Sequence, residues 1–269
     1  MQDAHLHLQD LRLHDIDSII EAMRATGIDR CVVNGTSPED WQRVATLAKH
    51  HPDLIIPSYG LHPWKTPCAT NWKPLLKRHL KNSEHPCIGE CGLDRWIPNF
   101  DIKAQEEAFI YQLDLACELN APITIHILKA WGWFLDILRD RKSHHPNPLP
   151  NRGFLLHSYN GSIELIPELI DAGAYFSFSG YYLNPNKKKQ LDVFKEIPIE
   201  RLLIETDAPD MLPPTQVITH PLTHLNHPAN LASIQQNLTD HLSINPRHLQ
   251  SQFTKNFSRF FLSKPSEAS

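Results

Sequence analysis

Short runs of apolar and β-branched residues alternate along the chain with amphipathic stretches of helical period. Runs of this kind indicate strands, and strands separated by helical segments are typical of a parallel sheet with helical crossovers. Eight runs have this pattern: Gln2–His7, Arg30–Asn34, Leu54–Gly60, Pro86–Glu90, Pro122–His126, Gly153–His157, Ala174–Phe178 and Arg201–Glu205. The pattern therefore predicts an α/β fold with eight parallel strands.

The segment between the first two strands shows the helical period clearly. Ile19, Ile20 and Met23 fall on one face of a helix there, which predicts a crossover that packs on the sheet. Ser37 followed by Pro38 predicts the start of the next helix, because Ser caps helices and Pro is tolerated at the first helical position. Strands and helices thus alternate in the order that successive βα units require.

Eight strand–helix units in a chain of this length match a (β/α)8 TIM barrel, in which functional groups stand at the carboxyl ends of the strands. The alternative is an open doubly wound sheet. Such sheets typically bind nucleotides through a G-x-G-x-x-G or G-x-x-x-x-G-K-[ST] loop after a strand, and neither motif occurs here. We assign residues 1–263 to one TIM-barrel domain and residues 264–269 to a C-terminal tail.

Composition narrows the class of protein. The 269 residues are 41% apolar, enough for a sizeable core, and a formal charge of -4 argues against a strongly basic nucleic-acid clamp. Five cysteines without a C-x-x-C pair indicate reduced thiols and a cytoplasmic protein. No apolar run approaches the roughly 20 residues of a membrane span, and nothing points to an obligate protein partner.

The first strand contains an H-x-H motif. His5 and His7 alternate with Leu6, so both imidazoles are predicted to project from one strand face. Neutral imidazole is a good ligand for ions of the Zn, Mn or Fe class. Two interpretations follow, a metal site or two polar side chains at the open end of the barrel.

Other predicted strands also lead to potential metal ligands. Strand four ends at Glu90, strand five at His126, strand six at His157, and Asp207 follows strand eight. Burying carboxylates and imidazoles beside an apolar core is costly without a compensating charge, and a bound cation supplies that charge. We therefore expect these strand ends to meet around a metal site.

Longer motifs surround these residues. They are the D-x-H-x-H opening at 3–7, Y-G-L-H-P at 59–63, G-E-C-G-L-D at 89–94, E-T-D-A-P at 205–209 and P-A-N-L at 228–231. Together they resemble the TatD family of metal-dependent hydrolases, whereas H-x-H alone is shared with the wider amidohydrolase superfamily. The resemblance implies a TIM barrel, one or two divalent cations (Mg, Mn or Zn) and deoxyribonuclease activity, often as a 3′-to-5′ exonuclease.

The same resemblance implies metal-binding roles for six residues: His5, His7, Glu90, His126, His157 and Asp207. The first two histidines would hold one ion, the last two a second, and Glu90 would bridge the ions or join the first. Asp207 would bind metal and the attacking water as general base, so Glu90 and Asp207 are the implied catalytic residues. Two cations about 4 Å apart can activate a water and stabilise the leaving oxygen of a phosphodiester.

Three further residues are candidates for substrate binding: His62, Arg95 and Lys129. His62 belongs to the Leu-His-Pro loop, which lies near the site in the family; it either contacts substrate or fixes a proline turn. Arg95 and Lys129 belong to loops with aromatic and basic residues, which either bind bases and phosphates or form a solvated surface.

Three acidic residues in the motifs have less direct predicted roles. We expect Asp3 to orient an imidazole and Glu205 to make a structural hydrogen bond. Asp94 is expected to orient either a loop or a metal ligand. None of the five cysteines is given a covalent role, because a metal-activated water needs no Ser or Cys nucleophile.

One departure from the family pattern keeps alternatives open. The family commonly has Arg two positions after the strand-five histidine, where this chain has Leu128. Lys129 offers a point charge but not the bidentate guanidinium fork. The first hypothesis is a phosphodiesterase acting on DNA or another phosphodiester. The second keeps the metals but takes a small ester, lactone, amide or phosphoester, and the third is a catalytically weak barrel that acts as a binding module.

Overall fold

The computed structural model describes residues 1–11 and 15–263. Eight parallel strands form one sheet in chain order, and they are Gln2–Leu6 (β1), Arg30–Gly35 (β2), Ile55–Tyr59 (β3), Cys87–Asp94 (β4), Ile123–Leu128 (β5), Phe154–Leu156 (β6), Ala174–Ser179 (β7) and Leu202–Glu205 (β8). This order confirms the predicted (β/α)8 architecture, because a doubly wound sheet would reverse its strand order. The predicted tail, residues 264–269, lies outside the described residues.

Helices connect the strands. They are Ile16–Ala25 (α1), Pro38–His50 (α2), Trp72–Lys81 (α3), Ile102–Leu119 (α4), Trp131–His144 (α5), Ile166–Asp171 (α6), Lys188–Val193 (α7), Leu231–Leu242 (α8) and Pro246–Phe257 (α9). The helix α1 buries Ile19, Ile20 and Met23, as its period predicts. Helix α2 begins after Ser37, as predicted. Among the described helices, none combines the length and apolar character needed to cross a bilayer.

The amino-terminal end of the barrel interior is apolar. Seven residues from seven strands belong to one buried cluster: Ala4, Val32, Ile56, Cys87, Leu155, Tyr175 and Leu203. Phe257, Phe260 and Phe261, at and beyond the end of α9, complete this cluster. We call these ten residues the apolar plug. It closes one end of the interior, so the polar groups described below are confined to the other end.

Two strands break their regular pairing where they pass from the apolar plug to the polar end. The register of β1 with β2 shifts between Asp3 and Leu6, and that of β4 with β5 shifts between Ile88 and Cys91. Each shift adds one residue to one strand, which changes the face on which the following side chain lies. The β1 shift spans Ala4 and His5, and the β4 shift spans Gly89 and Glu90, so both lie beside predicted ligands.

Strand β4 is longer than predicted. It continues past Glu90 to Asp94 because its pairing with β5 extends from Gly92 opposite His126 to Asp94 opposite Leu128. Gly92 has φ +148°, and a Cβ atom there would stand 1.9 Å from the carbonyl oxygen of His126. Only glycine permits this close approach, which brings Asp94 beside the end of β5.

The barrel closes where β1 meets the segment that follows β8. The backbone N–H of Asp207 donates to the carbonyl oxygen of His5 at 3.0 Å, and that of His7 donates to Ala208 at 2.7 Å. The buried carboxylate of Asp3 accepts hydrogen bonds from the backbone N–H and the hydroxyl of Thr206. The seam therefore holds the H-x-H motif directly against Asp207.

Candidate metal centre

All six predicted metal ligands meet at the carboxyl end of the barrel. The strands β1, β4 and β5 carry His5, Glu90 and His126, whereas His7, His157 and Asp207 directly follow or lie just beyond strands β1, β6 and β8. Five of the six are buried, and His126 has a side chain that is 14% exposed. The side chains form two groups that share Glu90.

The first cluster consists of His5, His7, Asp207 and one oxygen of Glu90. The Nε2 atoms of the two histidines are 3.1 Å apart. They lie 3.3 and 3.2 Å from Oε2 of Glu90 and 3.5 and 3.6 Å from Oδ1 of Asp207. Four potential ligand atoms thus face one another within a buried volume.

The second cluster consists of His126, His157 and the other oxygen of Glu90. Oε1 of Glu90 lies 2.9 Å from Nδ1 of His126 and 2.8 Å from Nε2 of His157. The two imidazole nitrogens are 3.2 Å apart. Each oxygen of Glu90 therefore faces a different predicted ligand pair, and His62 also lies 3.2 Å from Oε1. A carboxylate between two cation sites is expected to have this arrangement.

The chemistry of these groups fits a cation. Burial lowers the pKa of His7, but the hydrogen bond and charge of Glu90, together with Asp207, outweigh burial and raise it to about 10. Burial lowers the pKa of His5 to about 4. The carboxylates of Glu90 and Asp207 thus favour a positive charge beside His7. The Nε2 atoms of His5 and His7 are 3.1 Å apart, so one cation can contact both. A divalent cation satisfies that requirement with both imidazoles neutral.

Hydrogen bonds at the far side of two rings turn their lone pairs toward the clusters. Nδ1 of His7 is 2.7 Å from the carbonyl oxygen of Asn34, and Nε2 of His126 is 2.9 Å from Oδ2 of Asp94. Because carbonyl and carboxylate oxygens only accept, these nitrogens carry the protons. The opposite nitrogens, Nε2 of His7 and Nδ1 of His126, are left as ligand atoms, as in many metal-binding histidines.

His62 also reaches Glu90 but with the opposite tautomer. Its Nδ1 accepts a hydrogen bond from the backbone N–H of Trp64 at 3.1 Å. Burial lowers the pKa of His62 to about 4, so the ring is neutral and its Nε2 carries the proton. That nitrogen lies 3.2 Å from Oε1 of Glu90. His62 therefore presents a donor to the site, whereas His126 presents a lone pair.

The buried carboxylate of Glu205 supports the second cluster from behind. It accepts hydrogen bonds from the backbone N–H and hydroxyl of Ser158 and from the hydroxyl of Ser177. Its Oε1 lies 3.6 Å from Nδ1 of His157. The predicted structural hydrogen bonds of Glu205 are thus present, and they hold a negative charge beside the imidazole of His157, one of the predicted ligands.

Burial raises the pKa of Asp207, Asp3 and Glu90 alike, but the neighbouring groups give each carboxyl a different outcome. It raises the pKa of Asp207 to about 7, although the positive charge of neighbouring histidines opposes the rise. It raises the pKa of Asp3 to about 8. Burial also raises the pKa of Glu90, but the surrounding histidines, His157 above all, outweigh burial and hold that carboxyl well below its usual range. Glu90 is therefore ionised, whereas the pKa of Asp207 lies near neutral pH.

Asp3 differs from its predicted role. The expectation that it orients an imidazole is wrong, because its carboxylate accepts from the backbone N–H of His5 at 3.2 Å and from Thr206. The shift in strand register between Asp3 and Leu6 explains the error, since regular alternation does not hold across it. Asp3 positions the backbone of a ligand residue across the seam of the barrel.

Arg95 and Lys129 lie at the edge of the site. Both side chains are exposed, and within the described residues neither forms an ion pair with the two clusters. The guanidinium of Arg95 lies 5.8 Å from the centre of the Phe100 ring. Lys129 follows Leu128 at the end of β5 with φ +54°. The structure thus brings together the predicted metal ligands and His62, but not these two cations.

Two contacts of the site were not predicted. The contact of His7 with Asn34 involves the backbone carbonyl of Asn34, so no pattern of side chains predicts it. The indole of Trp64 donates to Oδ2 of Asp94 at 2.7 Å. The sequence contained a signal for this second contact, since Trp64 directly follows the Y-G-L-H-P motif and Asp94 ends the G-E-C-G-L-D motif of the neighbouring strand. The open question about Asp94 is also answered, because it contacts both a loop and His126.

Comparisons with known proteins agree with this geometry. The model of the family described as TatD related DNase matches residues 2–262. The 3'-5' ssDNA/RNA exonuclease TatD of Erwinia tasmaniensis is 30% identical over 254 residues, which cover 92% of this chain and 93% of that protein. The same-named protein of Edwardsiella piscicida is 30% identical over 229 residues, covering 82% and 84%. A crystal structure of a TatD homologue from Escherichia coli K12 has a similar fold, with a TM-score of 0.83, 21% identity and 98% of each chain covered.

Proposed function

Because this chain belongs to the family of TatD related DNases, we propose that it is a metal-dependent exonuclease that hydrolyses single-stranded DNA or RNA from the 3′ end. The substrate class comes from the names of the curated relatives. The observation that carries the proposal is the position of Glu90, whose two carboxylate oxygens face two separate groups of imidazole nitrogens. That arrangement suits hydrolysis at a pair of divalent cations.

The two clusters define the proposed metal sites. His5, His7 and Asp207 would hold one ion, His126 and His157 would hold the other, and Glu90 would bridge them. Mg, Mn and Zn are the candidate ions. When bound, divalent cations supply an activated water and stabilise negative charge on the phosphate and the leaving oxygen. The backbone carbonyl of Asn34 and the carboxylate of Asp94 keep two of the imidazoles in the tautomer that ligation requires.

Asp207 is the proposed general base. Its carboxylate belongs to the first cluster, where burial raises its pKa to about 7, and from this position it can accept a proton from a water in the site. The backbone N–H of Asp207 is bound to His5 across the barrel seam, so the carboxylate is held in place during the reaction. Asp207 and Glu90 are the proposed catalytic residues.

His62, Arg95 and Lys129 are the proposed substrate-binding residues. The Nε2–H of neutral His62 is directed at the second cluster, where it can donate to a phosphate oxygen. Arg95 and Lys129 are exposed at the end of neighbouring strands β4 and β5, where their charges can attract the backbone of a nucleic acid. They would contribute to affinity more than to the chemical step.

A small ester, lactone, amide or phosphoester is the second candidate substrate. Leu128 favours it, because an apolar side chain stands where the family commonly has an arginine suited to phosphate. The third hypothesis, a catalytically weak binding module, predicts a distorted set of ligands. The close approach of all six ligand side chains argues against it.

Turnover assays on one protein preparation test the proposal. Metal-stripped protein is reloaded with Mg, Mn or Zn and incubated with single-stranded DNA labelled at its 5′ end, and with a set of small esters, lactones and amides. Stepwise shortening of the labelled strand supports the exonuclease. Intact DNA with turnover of a small substrate supports the second candidate. Failure to turn over any substrate with any ion contradicts the proposal.

We also propose that the protein acts in the cytoplasm. All five cysteines are free thiols in the structure, and Cys31, Cys87 and Cys91 are buried. Disulfides are typical of oxidising compartments, and a chain of this size in such a compartment often uses its cysteines in pairs. Fractionation of cells that produce the protein, followed by immunodetection, tests the location.

A further inference from the structure

Two tryptophans stand out from the surface of the barrel beside the metal centre. Trp64 is 50% exposed and Trp96 is 57% exposed. The other strongly exposed large apolar side chains of the described residues are all aliphatic: Ile102, Leu119, Ile163 and Leu212. Both tryptophans lie in the loops after neighbouring strands β3 and β4, next to His62 and Asp94.

Trp64 is held rigidly despite its exposure. Its indole Nε1–H donates to Oδ2 of Asp94 at 2.7 Å. Its ring meets the ring of His62 at 5.1 Å and 88°, and that of His126 at 6.3 Å and 71°. Both contacts are edge-to-face, so the indole is fixed by the groups of the metal centre while half of its surface faces solvent. A fixed and solvated aromatic ring loses little conformational entropy when another ring stacks on it.

Trp96 is fixed through its backbone by the same carboxylate. Its N–H donates to Oδ1 of Asp94 at 2.6 Å. Asp94 therefore contacts both tryptophans and, through Oδ2, the imidazole of His126. Three hydrogen bonds to one buried carboxylate set the position of the aromatic residues relative to a proposed metal ligand.

An exposed cation accompanies each ring. Lys65 follows Trp64, and Arg95 precedes Trp96. The other four tryptophans pack within the protein. Trp41 and Trp72 are buried, whereas Trp131 and Trp133 are half-buried and donate their indole N–H groups to side-chain oxygens. Among the described tryptophans, a strongly exposed ring next to an exposed cation thus occurs only in the two loops around Asp94. Single-stranded nucleic acids are bound by this combination, in which bases stack on aromatic rings and cations meet the phosphates.

We propose that Trp64 and Trp96 form a base-binding subsite, in which a nucleobase of a single-stranded end stacks on an indole ring while its phosphate enters the metal centre. This inference rests on the proposed function. Asp94 contacts both tryptophans and His126, so it would set the position of the stacked base relative to the metal centre. Stacking is tolerant of base identity, since every base has a π face, so the subsite selects nucleic acid over small esters but not one sequence.

Steady-state kinetics on single-stranded oligothymidylate test the subsite. Trp64→Leu and Trp96→Leu remove the aromatic rings, and each should raise KM by roughly 5- to 100-fold, the range expected for the loss of one stacked base. Trp64→Phe keeps a ring but loses the indole N–H, so its KM should rise much less than that of Trp64→Leu. Leu119→Ala removes an equally apolar exposed side chain at the other end of the barrel and should leave KM unchanged.

An oligonucleotide with abasic residues at its 3′ end separates stacking from other causes. Wild-type protein should show a raised KM on this substrate, and Trp64→Leu should raise it no further, because the partner of the ring is already absent. Equal effects of Trp64→Leu on the two substrates would overturn the proposal, as would a KM for Trp64→Phe as high as that of Trp64→Leu.

A binding measurement keeps this inference distinct from the proposed function. Fluorescence anisotropy of dye-labelled oligothymidylate is recorded with metal-loaded Asp207→Asn protein, with and without Trp64→Leu. Weaker binding in the double variant supports the subsite even if the wild-type protein cleaves no DNA. Equal binding, or no binding by either protein, would overturn the subsite, and cleavage of DNA by the wild-type protein would still leave the exonuclease in place.

Discussion

The two ends of the barrel interior are built from the same eight strands but have opposite chemistry. At the amino-terminal end, seven strand residues and three phenylalanines form the apolar plug. At the carboxyl-terminal end, residues further along β1, β4 and β8 and the residue after β6 include imidazoles and carboxylates with nitrogen–oxygen distances of 2.8 to 3.6 Å. One end is stabilised by removing apolar surface from water, whereas the other contains charges whose burial is unfavourable unless they are paired.

The fold therefore places the residues expected to stabilise it and the residues expected to act in catalysis at opposite ends of the barrel. Changes in the apolar plug should act on folding and leave the reacting groups in place. Changes at the polar end should act on metal binding or turnover, because its groups are already unfavourably buried and contribute little to a folded core. The four predictions below probe that division, beginning with the largest expected effect on turnover.

Removal of metal should abolish hydrolysis and lower the melting temperature, because Glu90 and Asp207 then lose the positive charge that compensates their burial. A cation at 100 times its dissociation constant stabilises the native state by about 2.7 kcal/mol. Calorimetry and turnover are measured on chelated protein and after adding back each ion. Glu90→Gln should lose most of the metal-dependent rise in melting temperature; an unchanged rise in this variant would contradict the assignment of Glu90.

Asp207→Asn should reduce kcat by roughly 100- to 10,000-fold, because it removes the proposed general base without opening a cavity. Circular dichroism and the melting curve of the metal-free variant should stay near those of the metal-free wild type. The matched control is Asp210→Asn, an exposed carboxylate three residues further along the chain. Near-normal turnover by the Asp207 variant would remove this residue from the mechanism.

Asp94→Asn should weaken metal binding by roughly 10- to 100-fold, because His126 loses the carboxylate that fixes its tautomer. Isothermal titration of metal-stripped protein measures the change. Asp53→Asn serves as control, since Asp53 is an exposed partner of Arg24 outside the site. If both variants bind metal as tightly as the wild type, the hydrogen bond from His126 to Asp94 has no role in ligation.

Phe260→Ala should leave KM, and kcat per folded molecule, unchanged. It should lower the free energy of unfolding by about 3–5 kcal/mol, the usual cost of deleting a buried aromatic side chain. Urea unfolding gives the stability, and turnover at a temperature well below the melting point gives the activity. A large loss of kcat in folded Phe260→Ala protein would show that the two ends of the barrel are not independent.

Much of the fold could be predicted because its signals are local. The alternation of strands and amphipathic helices indicated a TIM barrel, and the buried face of α1 followed from Ile19, Ile20 and Met23. The strand ends were less predictable. The extension of β4 to Asp94 depends on the close approach of Gly92 to His126, which is a contact between two strands and leaves no periodic trace in either one.

The candidate site divides in the same way. Residue types at the strand ends were enough to select six ligand candidates, because buried imidazoles and carboxylates have few uses other than binding a cation or one another. His62 was selected by the resemblance of its Leu-His-Pro motif to the family. The tautomers of His62 and His126 were not predictable. Each depends on one hydrogen bond, from the N–H of Trp64 or to the carboxylate of Asp94, and these partners are placed by other strands.

The sequence by itself determined the order of the elements, the apolar and polar positions on each strand, and the supply of nitrogen and oxygen ligands. Tertiary structure decided how those ligands are shared. Closure of the barrel placed Asp207 against His5, and the shifted register of β4 lies where Glu90 directs its two oxygens at separate groups of imidazoles. The physical reason is that periodicity along a strand predicts the face on which a side chain lies. The geometry of a metal site depends on the distances between side chains of different strands.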